Sequence, residues 1–199
     1  MSRQDAREAI FARLSAAAGA APAPLAPSET WSAPELDPAQ RVELLEKRMA
    51  AVGTQVRRVP AKQLKAALAA LWEEKKPATV AFGKGAWFAK ELAATLGKKG
   101  APSAVPYEAD AEEFRDTLFA VDASVTSARL GIAENGALLL VPDGGEPRLL
   151  SLVPPTHVAV VRASDIVATF AEAIAALDPA SGMPANALLV TGPSKTADI

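Results

Sequence analysis

Apolar residues recur along this chain at two different spacings, and the change of spacing divides it. Val42, Leu45, Met49 and Val52 follow one another at helical intervals, so they share one face of a helix. Asp37-Pro38 supplies a cap and first turn for that helix, and Gly53 closes it. Ile10, Phe11 and Leu14 mark an earlier helix, opened by Ser2 with Asp5 behind it and ended by Gly19. Between the two, "AAPAPLAPSETWSAPELDP" is too rich in proline for a helix interior or a central strand. It reads as an extended linker, with Trp31 placed to cover an apolar groove.

From Gln55 onward, strand-like runs alternate with helical ones. "TQVRRVP", "ATVAFG" and "APSAVPY" read as strands. "AKQLKAALAALWEEKK" reads as a helix with Leu64, Leu68 and Leu71 on one side and Pro77 as its stop. Phe88, Leu92 and Leu96 mark a second helix, and "DAEEFRDTLF" a third with an Asp-x-x-Glu opening. This order predicts an α/β fold with a largely parallel sheet flanked by helices. After Phe119 the strands crowd together as "AVDASVT", "ALLLV", "RLLSLV" and "HVAVV", with Asp143-Gly144-Gly145 as a hairpin turn. Ser164 is the expected cap of a helix bearing Ile166, Phe170, Ile174 and Leu177, and "NALLV" is the last strand. The division expected is 1–54, helices and proline-rich linker, and 55–199, an α/β domain. The helix over Val42 to Val52 then packs an apolar face or offers it to a partner.

Composition narrows the chemistry. A chain of 199 residues, half of them apolar, can bury a full core. A net charge of −2 without a basic block argues against a nucleic-acid surface. With no cysteine, thiolate metal sites, cysteine nucleophiles and cysteine-ligated clusters are excluded within the chain. A single histidine, His157, excludes a site of several imidazoles. No metal or cofactor is expected in this chain. The opening residues mix acids and bases unlike a signal peptide, and no apolar run is long enough to span a bilayer. The expectation is a soluble, cytoplasmic protein.

Five stretches offer chemistry. Gly83-Lys84-Gly85 lies between a strand and a helix, where backbone N–H groups meet an anion or simply make a tight turn. Glu134, Asn135 and Gly136 enter an apolar strand; Asn-Gly suits a turn, and a carboxylate there suits a nucleophile or base. Asp122, Thr126, Ser127 and Arg129 lie just upstream, Arg129 fitting either a ligand anion or Glu134. His157 begins "HVAVV" and reads as a buried histidine with one hydrogen bond, or as a base if it sits at an open strand end. Thr191, Gly192, Ser194 and Thr196 follow the last strand, where hydroxyls and N–H groups can receive an anion.

"GIAENGALLL", "RLLSLVPPTHVAVV" and "TGPSKTADI", in this order, resemble the LUD domain family, and most of all its lactate utilization protein C (LutC/YkgG) group. The resemblance implies a fold like that of the NagB/RpiA/CoA-transferase group. It also implies a role in oxidising L-lactate to pyruvate beside iron–sulfur partner proteins, with the clusters held by the partners. "AENG" is similar to the Ser-Glu-Asn-Gly signature of CoA transferases, with Ala133 in place of the serine, which would make Glu134 an acyl-accepting nucleophile. "FGKGAWFAKEL" is similar to the glycine loop of sugar-phosphate isomerases of that fold. An enzyme of CoA esters or phosphorylated metabolites is therefore the alternative. Relatives carry a further strand and a Gly-Val-His-Gly-Pro type segment after the stretch that matches "TADI".

Overall fold

The structure, a computed structural model, describes residues 3–18, 35–107 and 114–193. The chain divides into two units, Met1–Ala33 and Pro34–Ile199. The first contributes α1 (Arg3–Ala18), on which Ile10, Phe11 and Leu14 are all exposed and the Arg7 guanidinium lies 5.3 Å over the Phe11 ring. Trp31 lies outside the described residues.

The second unit holds two four-stranded sheets. In the first, β1 (Thr79–Gly83), β2 (Ser103–Tyr107), β3 (Ala123–Ser127) and β6 (Thr156–Val160) run parallel in the order β2-β1-β3-β6. Both faces of its central strands are covered, which is why β1 reads as a nearly continuous apolar run, while Ser124 and Thr126 of β3 are buried with hydrogen-bond partners. Val80, Phe82 and Val125 pack on α3 (Leu64–Lys75) and α4 (Ala89–Ala93) through Leu68, Trp72, Phe88 and Leu92. On the other face Ala81 meets Leu118 of α5 (Arg115–Ala120) and Leu150 of α6 (Leu149–Leu152).

The second sheet has the order β7-β4-β5-β8. β4 (Leu130–Ile132) and β5 (Ala137–Leu140) form an antiparallel hairpin, β7 (Ile166–Val167) runs parallel to β4, and β8 (Leu188–Val190) antiparallel to β5. α2 (Pro38–Ala51) covers one face with Leu45 and Met49, and α7 (Phe170–Ala176) the other with Ala173. The capping box expected at Asp37 is present: Asp37 Oδ1 accepts the Gln40 N–H at 2.8 Å, and Gln40 Oε1 the Asp37 N–H at 2.9 Å. The unit beginning at Pro34 thus takes α2 into its core, so that face is filled by the hairpin rather than held open.

Several expected elements take another form. "TQVRRVP" has no strand partner and crosses the surface with Arg57 paired to Glu74 and Arg58 to Glu46. "RLLSLV" is the helix α6, because Pro147 starts a helical turn and Pro154-Pro155 ends it, leaving no length for a strand. Asp143-Gly144-Gly145 makes no hairpin: Asp143 Oδ1 accepts the N–H groups of Gly145 (2.7 Å) and Glu146 (2.8 Å) in a local turn leading to α6. The hairpin lies instead at Glu134–Gly136. Ser164 falls in a 3-10 turn, Ala163–Asp165, and Ile166 in β7; Thr169 is the cap of the helix, its Oγ1 accepting the Glu172 N–H at 3.1 Å. The helix over Phe88 to Leu96 is regular only in α4, although all three apolar residues are buried. The Asp-x-x-Glu before α5, Asp110 to Glu113, lies outside the described residues.

Candidate functional site

The carboxyl ends of parallel strands are where ligands of α/β sheets bind, because loops diverge there and leave a crevice. Gly83 ends β1 at that edge, facing the turn after β5. A Cβ at Gly83 would collide with the Gly145 carbonyl oxygen and with Glu146 Cγ, so glycine is required for close approach. Glu146 reaches on to the end of β3: its Oε1 accepts the Ser127 N–H at 3.0 Å and its Oε2 the Ser127 hydroxyl. Gly85 has open space about it, and Lys84 beside it is exposed. The chain turns twice more before α4 begins at Ala89, so the glycine turn does not sit on a helix N-terminus. Trp87, 41% exposed, lies under the Arg162 guanidinium, 4.2 Å from the ring centroid. Arg162 follows β6, so this contact joins the loops of two strands that flank β3. Its only ion pair among the described residues is with Asp165, at 3.6 Å.

Glu134 occupies a different place. It leaves β4 beside the start of α7, where Oε1 accepts the Phe170 N–H at 2.7 Å and its own N–H donates to the Ala168 carbonyl at 3.0 Å. A carboxylate facing the first turn of a helix satisfies a free donor and the helix dipole together. Asn135 is exposed at the hairpin tip, and Gly136 adopts φ +63°. A Cβ on Gly136 would collide with the Arg48 side chain and approach its carbonyl carbon to 3.1 Å. Gly131 and Gly192 are equally close to α2, against Leu45 Cδ2 (2.8 Å) and Val52 Cγ2 (2.7 Å). The glycines of "GIAENG" and Gly192 thus let α2 approach the second sheet. Val190 pairs with Leu138, which carries Thr191 and Gly192 toward the same end of the hairpin; Ser194 and Thr196 lie outside the described residues. Arg129 precedes β4 while Glu134 follows it, roughly 15 Å along an extended strand. No ion pair joins them.

Two candidates tie the parallel sheet together. Asp122 Oδ2 accepts the N–H groups of Ala78 (2.8 Å) and Thr79 (2.9 Å) and the Thr79 hydroxyl (2.9 Å). Those bonds, led by the Thr79 hydroxyl, hold its carboxyl below the ordinary value. They join β1 and β3 at their amino ends, away from Gly83. His157 pairs with Ser124 across β3 and β6, and its Nε2 lies 2.8 Å from Thr126 Oγ1, which is 3.5 Å from Ser151 Oγ. Burial pushes the imidazole down to about 4. It is therefore neutral at neutral pH, within a polar seam under α6.

The structure thus brings Gly83 and Gly85 together with Ser127, offered by the sequence, and with Glu146, Trp87 and Arg162, which the sequence had not singled out. It brings Glu134, Asn135, Gly136 and Gly192 together around α2 and α7. Strand-end position alone pointed to Arg162; nothing local pointed to Glu146. A surface groove of about 380 Å³ lined by Trp72, Glu73, Lys76 and Gly100 includes none of the candidate residues. Among the described residues no cluster of histidine and carboxylates could hold a metal, and no helix is long and apolar enough to cross a membrane.

Residues 42–199 match the LUD domain. The chain belongs to the LUD domain family. A crystal structure of a DUF162 family protein from Deinococcus radiodurans superposes with a TM-score of 0.63 at 23% identity, covering 78% of this chain and 89% of that one. At that identity the likeness is one of fold. In sequence the chain is 38% identical over 97 residues to the Neisseria meningitidis serogroup B protein NMB1437, covering 48% of this chain and 42% of that protein. It is 37% identical over 79 residues to lactate utilization protein C of Macrococcus caseolyticus, covering 38% and 34% of the two. The matched stretch therefore spans less than half the length of each of these two relatives.

Proposed function

We propose that this LUD domain chain is a cytoplasmic component of L-lactate utilization, acting with iron–sulfur partner proteins in the oxidation of L-lactate to pyruvate. The observation that carries the reading is the 37% identity to a protein named lactate utilization protein C. Oxidising lactate removes two electrons, and a chain without cysteine offers no thiolate to ligate a cluster. Electron transfer through clusters then belongs to the partners, and this chain supports it through binding of partners or of a small anion. The parallel sheet's carboxyl edge supports an anion-binding role, because its carboxylates are engaged with backbone N–H groups while arginine remains exposed.

Deletion of the gene in a strain stripped of other L-lactate oxidases tests the proposal. Growth on L-lactate should stop, growth on pyruvate should persist, and the gene in trans should restore the first. Unimpaired growth on L-lactate would overturn the reading.

A further inference from the structure

In the parallel sheet β1 leads through α4 to β2 on one side, and β2 returns through α5 to β3 on the other side of β1. The direction of winding therefore reverses between β1 and β3, and the loops that leave these two strands part to open a crevice. The strands last pair at Phe82 and Val125, beyond which Gly83 lies on one side and Ser127 on the other. Ser127 stands opposite Val160 of β6, yet the Val160 carbonyl takes its bond from the Ala128 N–H, at 2.9 Å. Alternation along a parallel ladder therefore turns the Ser127 N–H away from β6 and toward the crevice.

The acceptor it finds there is not β1 but Glu146. Glu146 Oε1 accepts the Ser127 N–H at 3.0 Å and Oε2 the Ser127 hydroxyl, one donor to each oxygen. A backbone N–H beside a hydroxyl is a seat that fits a planar carboxylate. The facing position is glycine because a Cβ on Gly83 would strike the Gly145 carbonyl oxygen and Glu146 Cγ. Trp87 and Arg162, which follow the two neighbours of β3, meet across its carboxyl end. The turn that carries Glu146 is held together by its own bonds. Asp143 Oδ1 accepts the N–H groups of Gly145 and Glu146, and the Asp143 N–H donates to the Glu146 carbonyl at 3.2 Å. Pro142 and Pro147 flank the turn, and Gly144 has open space about it. Swinging out as a unit, the turn keeps those internal bonds and gives up at Ser127 the two that a carboxylate from solution would make.

We infer that Ser127, at the switch point between β1 and β3, is the carboxylate seat of a ligand site, and that Glu146 is its built-in occupant, displaced when a small organic carboxylate binds. The exchange conserves both hydrogen bonds. The ligand has to outcompete an internal group whose effective concentration is on the order of millimolar or more. This deepens the anion-binding part of the proposed role. Binding by the purified chain and growth on L-lactate are read separately, so the failure of one is distinguishable from the failure of the other.

Calorimetric titration of the purified full chain with pyruvate tests it at about 0.15 M salt, with inorganic phosphate as a second probe. Removing the internal competitor should tighten pyruvate binding, about tenfold or more for Glu146→Ala and about threefold for Glu146→Gln, which keeps the shape without the charge. Adding Ser127→Ala to Glu146→Ala should weaken it again by about fivefold or more. Thermal unfolding identifies the variants that fold, and Glu146→Gln carries the comparison should Glu146→Ala not fold. A folded Glu146 variant that binds pyruvate no more tightly than the native chain, or binding untouched by Ser127→Ala, would overturn the inference. Phosphate bound more tightly than pyruvate by Glu146→Ala would overturn the carboxylate assignment.

Discussion

Two glycine-containing turns in this molecule look alike as sequence and differ in what surrounds them. At "AENG" the carboxylate and the glycine each have a packing partner: Glu134 closes the first turn of α7, and Gly136 admits Arg48 of α2. At "GKG" only the first glycine is packed, against Gly145 and Glu146, while Gly85 faces open space and exposed Trp87 and Arg162 lie close in sequence or contact. The comparison teaches that a glycine motif is best judged by what a Cβ would strike. Where it strikes backbone the glycine builds the fold, and where it strikes nothing the position is available to a ligand.

That contrast can be broken most sharply with alanine. Gly136→Ala places a side chain at φ +63° against Arg48 and should cost roughly 4 kcal/mol of unfolding free energy. Gly83→Ala, without the φ strain, should cost roughly 3 kcal/mol. Chemical denaturation reads both, and a loss under about 1 kcal/mol at either site would refute the packing argument.

The next effect belongs to His157, whose imidazole is packed rather than presented. Its value falls from 6.5 to about 4 on burial, so the unfolded chain takes up the proton first. The stability it confers is complete above pH 6.5 and drains away as pH falls toward 4, by up to about 3 kcal/mol. His157→Gln should remove that part of the slope. An unchanged slope between pH 6.5 and 4 would show that the imidazole titrates freely.

Smaller again is Glu134→Gln, which keeps the hydrogen bond to Phe170 and loses the charge at the helix terminus, for about 0.5–1 kcal/mol. Incubation of the native chain with an acyl-CoA, followed by mass spectrometry, sharpens the same point: a capping carboxylate should carry no adduct, and a Glu134 thioester would restore the CoA-transferase reading. Smallest is Gly85→Ala, expected within 0.5 kcal/mol of the native chain, since nothing lies within 4 Å of the added methyl.

How far the sequence announced this arrangement depended on run length and flanking residues. Val80 to Phe82, between Pro77 and the glycine turn, could only be a short buried strand, and the Asp37 cap is local chemistry that tertiary context had no reason to change. β4 and β7 are three and two residues long, too brief for any alternation to register. "RLLSLV" alternated like a strand but sat between prolines, and the prolines decided the matter. Glu134 was legible as a turn carboxylate, though not as the cap of a helix 36 residues away. The stacking of Trp87 on Arg162 joins the loops after two different strands, which no local window contains.

Backbone amide shift mapping during a pyruvate titration separates the two turns directly, at a mass of 20.6 kDa suited to the method. Shifts concentrated at Gly85–Trp87, Ser127–Arg129 and Val161–Ser164, with Glu134–Gly136 and Phe170 unmoved, are the predicted result. Shifts centred on Glu134 and Phe170, with the carboxyl edge of the parallel sheet silent, would contradict it.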